Sequence, residues 1–178
     1  MGLLHNSTNY LLGPIDRSPD GGVGWRKLVT PRLKFMGVRV IDPTAKPKII
    51  NHTEDASFVQ YKRELRATGK YQELANLMAD VRNVDLRFCD HANFGIFYLD
   101  LNAQPVGSYE ECFLLNHQKK PVLIMFEQGI SSCPDWLFGA FKTDWREFFF
   151  EDWDSMFTYL DGVNSGKPAS KRWVLFDF

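Results

Sequence analysis

Two uninterrupted apolar runs, Phe94 to Leu99 and Pro121 to Phe126, constrain this chain more than any other feature. Neither is long enough for a typical buried helix, and neither has a polar face. Such runs suit strands covered on both sides, the pattern of a parallel sheet shielded by its own crossover helices. Asn9 to Leu12, closed by Gly13-Pro14, and Val38 to Ile41, closed by Asp42-Pro43, read as two further short strands. Trp173 to Phe176 reads as a last one.

Helical spacing fills the intervals over Trp25 to Met36, Ser57 to Arg66, Tyr71 to Phe88, Ser108 to His117 and aromatic-rich Trp145 to Leu160. Pro31 weakens the first of these, and residues 44 to 55 look irregular. Strands alternating with helices predict an α/β chain with a doubly wound, flavodoxin- or Rossmann-like parallel sheet. Five strands with helices on both faces and right-handed crossovers are expected. The 178 residues suit a single domain spanning 1–178. Ligands of such sheets bind beyond the carboxyl ends of the strands. The loop after Leu12, the loop after Leu99 and the helix start at Ser108 are therefore expected to meet at one cleft.

Lys and Arg total 21 against 22 Asp and Glu, a formal net charge of −1. That balance argues against capture of a nucleic-acid polymer and for a small-molecule partner. Cys89, Cys112 and Cys133 form neither a CxxC pair nor an even disulfide set, so reduced thiols are expected. His5, His52, His91 and His117 lack ligand spacing, and no metal site is expected. No apolar run approaches a membrane span, and the N-terminus lacks the pattern of a secretory leader. A cytoplasmic protein away from membranes is the expectation.

Two carboxylates stand in telling places. Leu74, Met78, Val81, Asp85 and Phe88 trace one helical face, so Asp85 falls within an apolar stripe. Burying an unpaired charge is costly, and a raised pKa, suited to a proton donor, is the expected escape. The competing reading, that Val84 centres the stripe and Asp85 lies at its polar margin, weighs equally. Glu111 belongs to Gly107-Ser108-Tyr109-Glu110-Glu111, at the start of a helix whose dipole would keep a nucleophilic carboxylate ionised. Ser108-x-x-Glu111 is also a capping box, and on local pattern alone that reading is favoured.

Other features carry less weight. Gly107 and Ser108 suit a phosphate at a helix start, although such a serine is more often only a cap. Arg17 and Arg26 flank the first loop and suit an anion. The aromatic group Trp136, Trp145, Phe148, Phe149, Phe150 and Trp153 reads as core or subunit packing before it reads as a base-stacking wall. Cys112 has no evident base beside it.

Tyr10-Leu11-Leu12-Gly13-Pro14-Ile15 resembles the opening strand and glycine loop of the nucleoside 2-deoxyribosyltransferase family. Asp85-Leu86, the strand ending Tyr98-Leu99-Asp100, the Gly-x-x-x-Glu of Gly107 to Glu111, and Lys120-Pro121-Val122 resemble later blocks of that family in order and spacing. The resemblance spans Tyr10 to Met125 in scattered blocks. It implies Glu111 as nucleophile, Asp85 as the acid that protonates the leaving base, and Tyr10 as the phenol that orients the nucleophile, with Glu110 excluded. These implications reverse the local odds for both carboxylates.

The resemblance also implies substrate contacts from Gly13, Pro14, Ile15, Asp16, Arg17, Gly107 and Ser108. Many relatives place a sugar-binding aspartate six positions before the nucleophile, where this chain has Pro105. Asp100, Asn102 or Gln104 are candidates to take its place. The implied reaction moves deoxyribose between bases of 2′-deoxynucleosides through a covalent glutamyl intermediate, without a cofactor. The partners are a deoxynucleoside or nucleotide and a free base. A homo-oligomer with shared active sites is implied, with Phe176-Asp177-Phe178 a candidate for the contact. Hydrolysis of 2′-deoxynucleoside 5′-monophosphates to base and sugar phosphate is the first alternative, and a non-catalytic nucleotide-binding module the second.

Overall fold

The computed structural model describes residues 2–46 and 56–175. Its centre is a five-stranded, all-parallel sheet: β1 (Thr8–Leu12), β2 (Arg39–Ile41), β3 (Phe94–Leu99), β4 (Val122–Phe126) and β5 (Phe149–Phe150). The spatial order is β2-β1-β3-β4-β5. Alternate side chains of the apolar runs supply two cores, as a strand's period of two requires. Leu11, Phe94, Ile96, Leu123 and Met125 point to one face. Tyr10, Leu12, Phe97, Leu99, Val122, Ile124 and Phe126 point to the other.

On the first face lie α1 (Val23–Phe35), through Trp25, Val29 and Leu33, and α7 (Trp153–Asn164), through Met156, Phe157 and Leu160. On the second lie α3 (Tyr71–His91), α4 (Val106–His117) and α5 (Asp135–Phe141), through Cys89, Cys112, Leu115, Leu137 and Phe141. The chain is thus a doubly wound α/β fold. α2 (Ala56–Ala67) packs against α3, and α6 (Trp145–Phe148) is one turn leading into β5. α1 runs through Pro31, which lies on its exposed side. No helix among the described residues is long and apolar enough to cross a membrane.

The C-terminal third departs from the expected pattern. The helix expected over Trp145 to Leu160 is cut by β5, because Phe148, Phe149 and Phe150 are all buried against β4 and the flanking helices. The expected strand at Trp173 is not one: residues 173–175 run outside the sheet, and Phe176 lies outside the described residues. Trp173 instead packs its ring on Phe94 and donates its indole N–H to the Tyr159 hydroxyl at 2.7 Å. The Phe176-Asp177-Phe178 segment lies wholly outside the described residues, as do residues 47–55 of the expected irregular stretch.

β1 and β3 are neighbours, yet β1 leads into α1 on one face and β3 into α4 on the other. Their exit loops diverge and leave a crevice between them. This is the place where doubly wound sheets bind ligands.

Candidate active site

The floor of the crevice is built from the loop after β1. A side chain at Gly13 (φ +157°) would place its Cβ 2.8 Å from the Trp25 ring and 3.1 Å from the Tyr98 carbonyl oxygen, so the loop closes onto the sheet only with glycine there. Arg26, fully buried on α1, then pins the loop. Its guanidinium donates to the carbonyls of Gly22 at 2.7 Å and Gly13 at 3.1 Å, and its Nε lies 3.3 Å from the Asp42 carboxylate. The Trp25 ring sits against the guanidinium. Arg26, a sequence candidate for anion binding, is therefore a structural clamp that faces away from the cavity.

Gly13, Pro14, Ile15, Asp16 and Arg17 form one wall of a cavity of about 410 Å³. Met78, Val81, Arg82, Asp85 and Leu86 of α3 form another, and residues 103–108 with Glu110 and Glu111 complete it. The apolar lining comes from Pro14, Ile15, Pro43, Met78, Val81 and Leu86, with a few polar groups among them, the composition of a small-molecule pocket. None of the described lining side chains is aromatic. The aromatic concentration serves the cores, with Phe148 to Phe150 buried and Trp153 stacked in a Trp25–Tyr98–Trp153 layer on the opposite face.

Glu111 sits in the second turn of α4. That helix starts at Val106 rather than Ser108, and its cap position, Pro105, supplies no side-chain bond. Ser108 is thus already inside the first turn, which removes the capping-box reading. It also carries Glu111 past the turn where the helix dipole is strongest. The carboxylate is held instead by a phenol: the Tyr10 hydroxyl donates to Glu111 Oε1 at 2.8 Å. Tyr10 reaches it because the alternation of β1 points Tyr10 at α4. Burial, reinforced by the nearby Glu111 and Asp85 carboxylates, pushes the Tyr10 phenol well above its ordinary range, so it remains a proton donor. Both carboxylates act on this one hydroxyl and both line the cavity, which brings Glu111 and Asp85 to a shared site.

Asp85 lies on the buried stripe of α3 with Val81 and Cys89, while Val84 is only half-buried, so the apolar-stripe placement holds. The fully buried Lys46 ammonium stands 2.5 Å from Asp85 Oδ1, an ion pair that compensates the buried carboxylate and that the sequence reading did not foresee. Lys46 lies in an irregular stretch with no periodic pattern, so nothing in the sequence marked it.

The rim is rich in ion pairs. Glu110, turned outward, accepts two bonds from Arg82, which hold its carboxyl below its ordinary range. Asp16 pairs with buried Lys62 of α2, and Arg17 donates to Gln104. Gly107 and Ser108 line the cavity, with Ser108 buried. Asp100 and Asn102 do not line it. The Asp100 carboxylate accepts from the Asn102 backbone N–H at 2.9 Å and from the Gln128 amide at 2.7 Å, which turns it to the far side of the β3 loop. Of the three candidates to replace the missing aspartate, only Gln104 reaches the cavity. Arg66, Pro43 and Met78 also line it, and the sequence reading gave none of them a role in the site. Cys112 is fully buried, and burial followed by the Glu111 charge raises its thiol far out of the reactive range.

Compared with protein-family models and with curated proteins, the chain matches none.

Proposed function

We propose that this chain is an enzyme of the N-glycosidic bond, transferring deoxyribose between the bases of 2′-deoxynucleosides through an ester on Glu111. The observation that carries the reading is the pair of buried carboxylates, Glu111 and Asp85, delivered by two different helices to one cavity, with Tyr10 bonded to Glu111. A glutamate held by a neutral phenol keeps one oxygen oriented while the other attacks. Perturbed ionisable groups converging in a cleft are a mark of chemistry rather than of packing.

In the first displacement a Glu111 oxygen bonds to the anomeric carbon as the C1′–N bond breaks, and the bond's electron pair leaves on the base nitrogen. The Lys46 ammonium supplies a proton through the Asp85 carboxylate to that nitrogen and is left as a neutral amine, which takes a proton back when the incoming nucleophile gives one up in the second step. A second base, or water, then displaces the ester and regenerates the carboxylate, with proton movements reversed. This is the two-step, retaining logic of paired carboxylates around an oxocarbenium-like transition state. Gln104, Gly107 and Ser108 line the cavity beside Glu111, and in this reading they meet the sugar hydroxyls while the aliphatic lining covers the base. Assembly into a homo-oligomer that closes the site belongs to the same proposal.

The test is exchange. Incubation with a deoxynucleoside and a second free base yields a new nucleoside on chromatography, and Glu111→Ala abolishes its formation while still unfolding in one cooperative transition, lowered by the loss of the Tyr10 bond. Undiminished exchange by that variant removes Glu111 from the mechanism.

A further inference from the structure

The cavity does not end at its rim. A polar annex of about 220 Å³ opens beside it, lined by Asp16, Arg17, Val59, Lys62, Arg63 and Arg66. Asp16, Arg17 and Arg66 belong to both spaces, so annex and cavity are continuous. Helix α2 makes the annex cationic by its spacing: Val59, Lys62, Arg63 and Arg66 recur at three- and four-residue steps and share the side turned to the β1 loop.

Four cations face one carboxylate there, and that carboxylate is already engaged by Lys62. Arg17 is bonded to Gln104, a neutral amide. Among the described residues no carboxylate pairs with Arg63 or Arg66. A chain whose overall charge is close to zero has thus gathered, among the described residues, three excess positive charges at the mouth of an apolar-lined cleft. Exposed arginines on a solvated helix face need no ligand, but these border a cavity whose described lining holds no acidic residue besides Asp16 to intersperse them.

We propose that the annex is a phosphate-chain subsite and that the substrate is a 2′-deoxynucleoside 5′-polyphosphate rather than the free nucleoside. The proposal rests on the glycosidic reading of the adjoining cavity. Charge sets the length of the chain. A single phosphate monoester brings about −1.5 to −2, short of the excess, whereas a chain of two or more phosphates matches it. The guanidinium groups of Arg17, Arg63 and Arg66 offer the forked donor geometry that phosphate oxygens accept.

The test uses deoxyadenosine, its 5′-monophosphate and its 5′-diphosphate as donors, with a second free base as acceptor, in the whole protein and in Arg63→Glu. Arg63 is exposed and touches only the annex, so the substitution spares the core. The diphosphate is expected to exceed the nucleoside in kcat/KM by at least about tenfold, from one or two charge-assisted hydrogen bonds, and Arg63→Glu to reduce that ratio about tenfold or more. Added salt narrows it in the wild type. An unchanged ratio in Arg63→Glu overturns the proposal. Calorimetric titration with inorganic pyrophosphate reads the subsite without turnover. Pyrophosphate binding that is lost in Arg63→Glu supports the subsite even where no base exchange occurs, in which case the enzymatic reading alone fails. Nucleoside exchange with no pyrophosphate binding leaves the enzyme standing and sinks the subsite. Pyrophosphate that binds without competing against the diphosphate also overturns it, since the annex would then serve a free anion.

Discussion

Replacing Tyr10 with Phe deletes one hydroxyl and little else. The ring is fully buried and keeps its packing, and Phe adds no atoms, so neither overpacking nor a large cavity accompanies the change. What goes is the 2.8 Å bond to Glu111 Oε1. A buried hydrogen bond to a charged acceptor contributes about 1.5–3 kcal/mol, roughly twice a neutral one. For a chain of this size that corresponds to a fall in Tm of roughly 3–12 °C. If the same bond orients the attacking carboxylate, base exchange slows by about ten- to a hundredfold through kcat. A double-mutant cycle with Glu111→Ala, followed by denaturant unfolding and by chromatography of the exchange reaction, isolates the pair. The expected coupling on stability is at least about 1 kcal/mol, because each single variant already removes the shared interaction. Additivity within about 0.5 kcal/mol would refute the claim that the phenol holds the carboxylate. A destabilised Tyr10→Phe with undiminished exchange would reduce Tyr10 to a packing residue.

Two further outcomes follow from the same region. Gly22→Ala puts a Cβ onto the Pro14 carbonyl oxygen and the Arg26 guanidinium at a backbone angle of φ +74°, so a loss of at least about 1–3 kcal/mol is expected on urea unfolding, with Km for the donor rising as the loop shifts. The raised Tyr10 phenol makes stability fall at alkaline pH. Below about pH 10 folded and unfolded chains both hold that proton and the preference is fully present, whereas above it the unfolded chain sheds the proton first. Stability measured by denaturation between about pH 9 and pH 11.5 should therefore decline less steeply in Tyr10→Phe than in the wild type, and parallel curves would contradict the burial of the phenol.

The sheet was legible because β3 and β4 are buried on both faces, and only a strand tolerates so short a run without a polar side. β5 was not, since two residues carry no period at all. Phe149 and Phe150 earn their place in the sheet through contacts with β4 and α7 that are distant in sequence. The Trp173 segment errs the other way: its apolar residues pack on the core as an irregular tail, and apolarity alone does not specify pairing. In the site, Asp85 stood out because a carboxylate breaks an apolar face, and Glu111 because it completes a family-like spacing. Lys46 and Arg66 break no pattern, and only the folded chain sets one against Asp85 and the other at the mouth of the annex. The helix start at Val106 was missed by two residues, and that small error alone sustained the capping-box reading of Glu111.

The Arg26 clamp bears on how this molecule spends binding energy. With three elements moored to a single guanidinium, the first wall is already in its final shape before anything enters, so an incoming molecule loses little affinity to ordering that side. Whatever adjustment accompanies entry falls to the opposite bank, where α2 meets the rest of the molecule chiefly through α3. Selectivity for the part of a ligand that reaches α2 can thus be retuned by substitution there without disturbing the groove that Glu111 and Asp85 line.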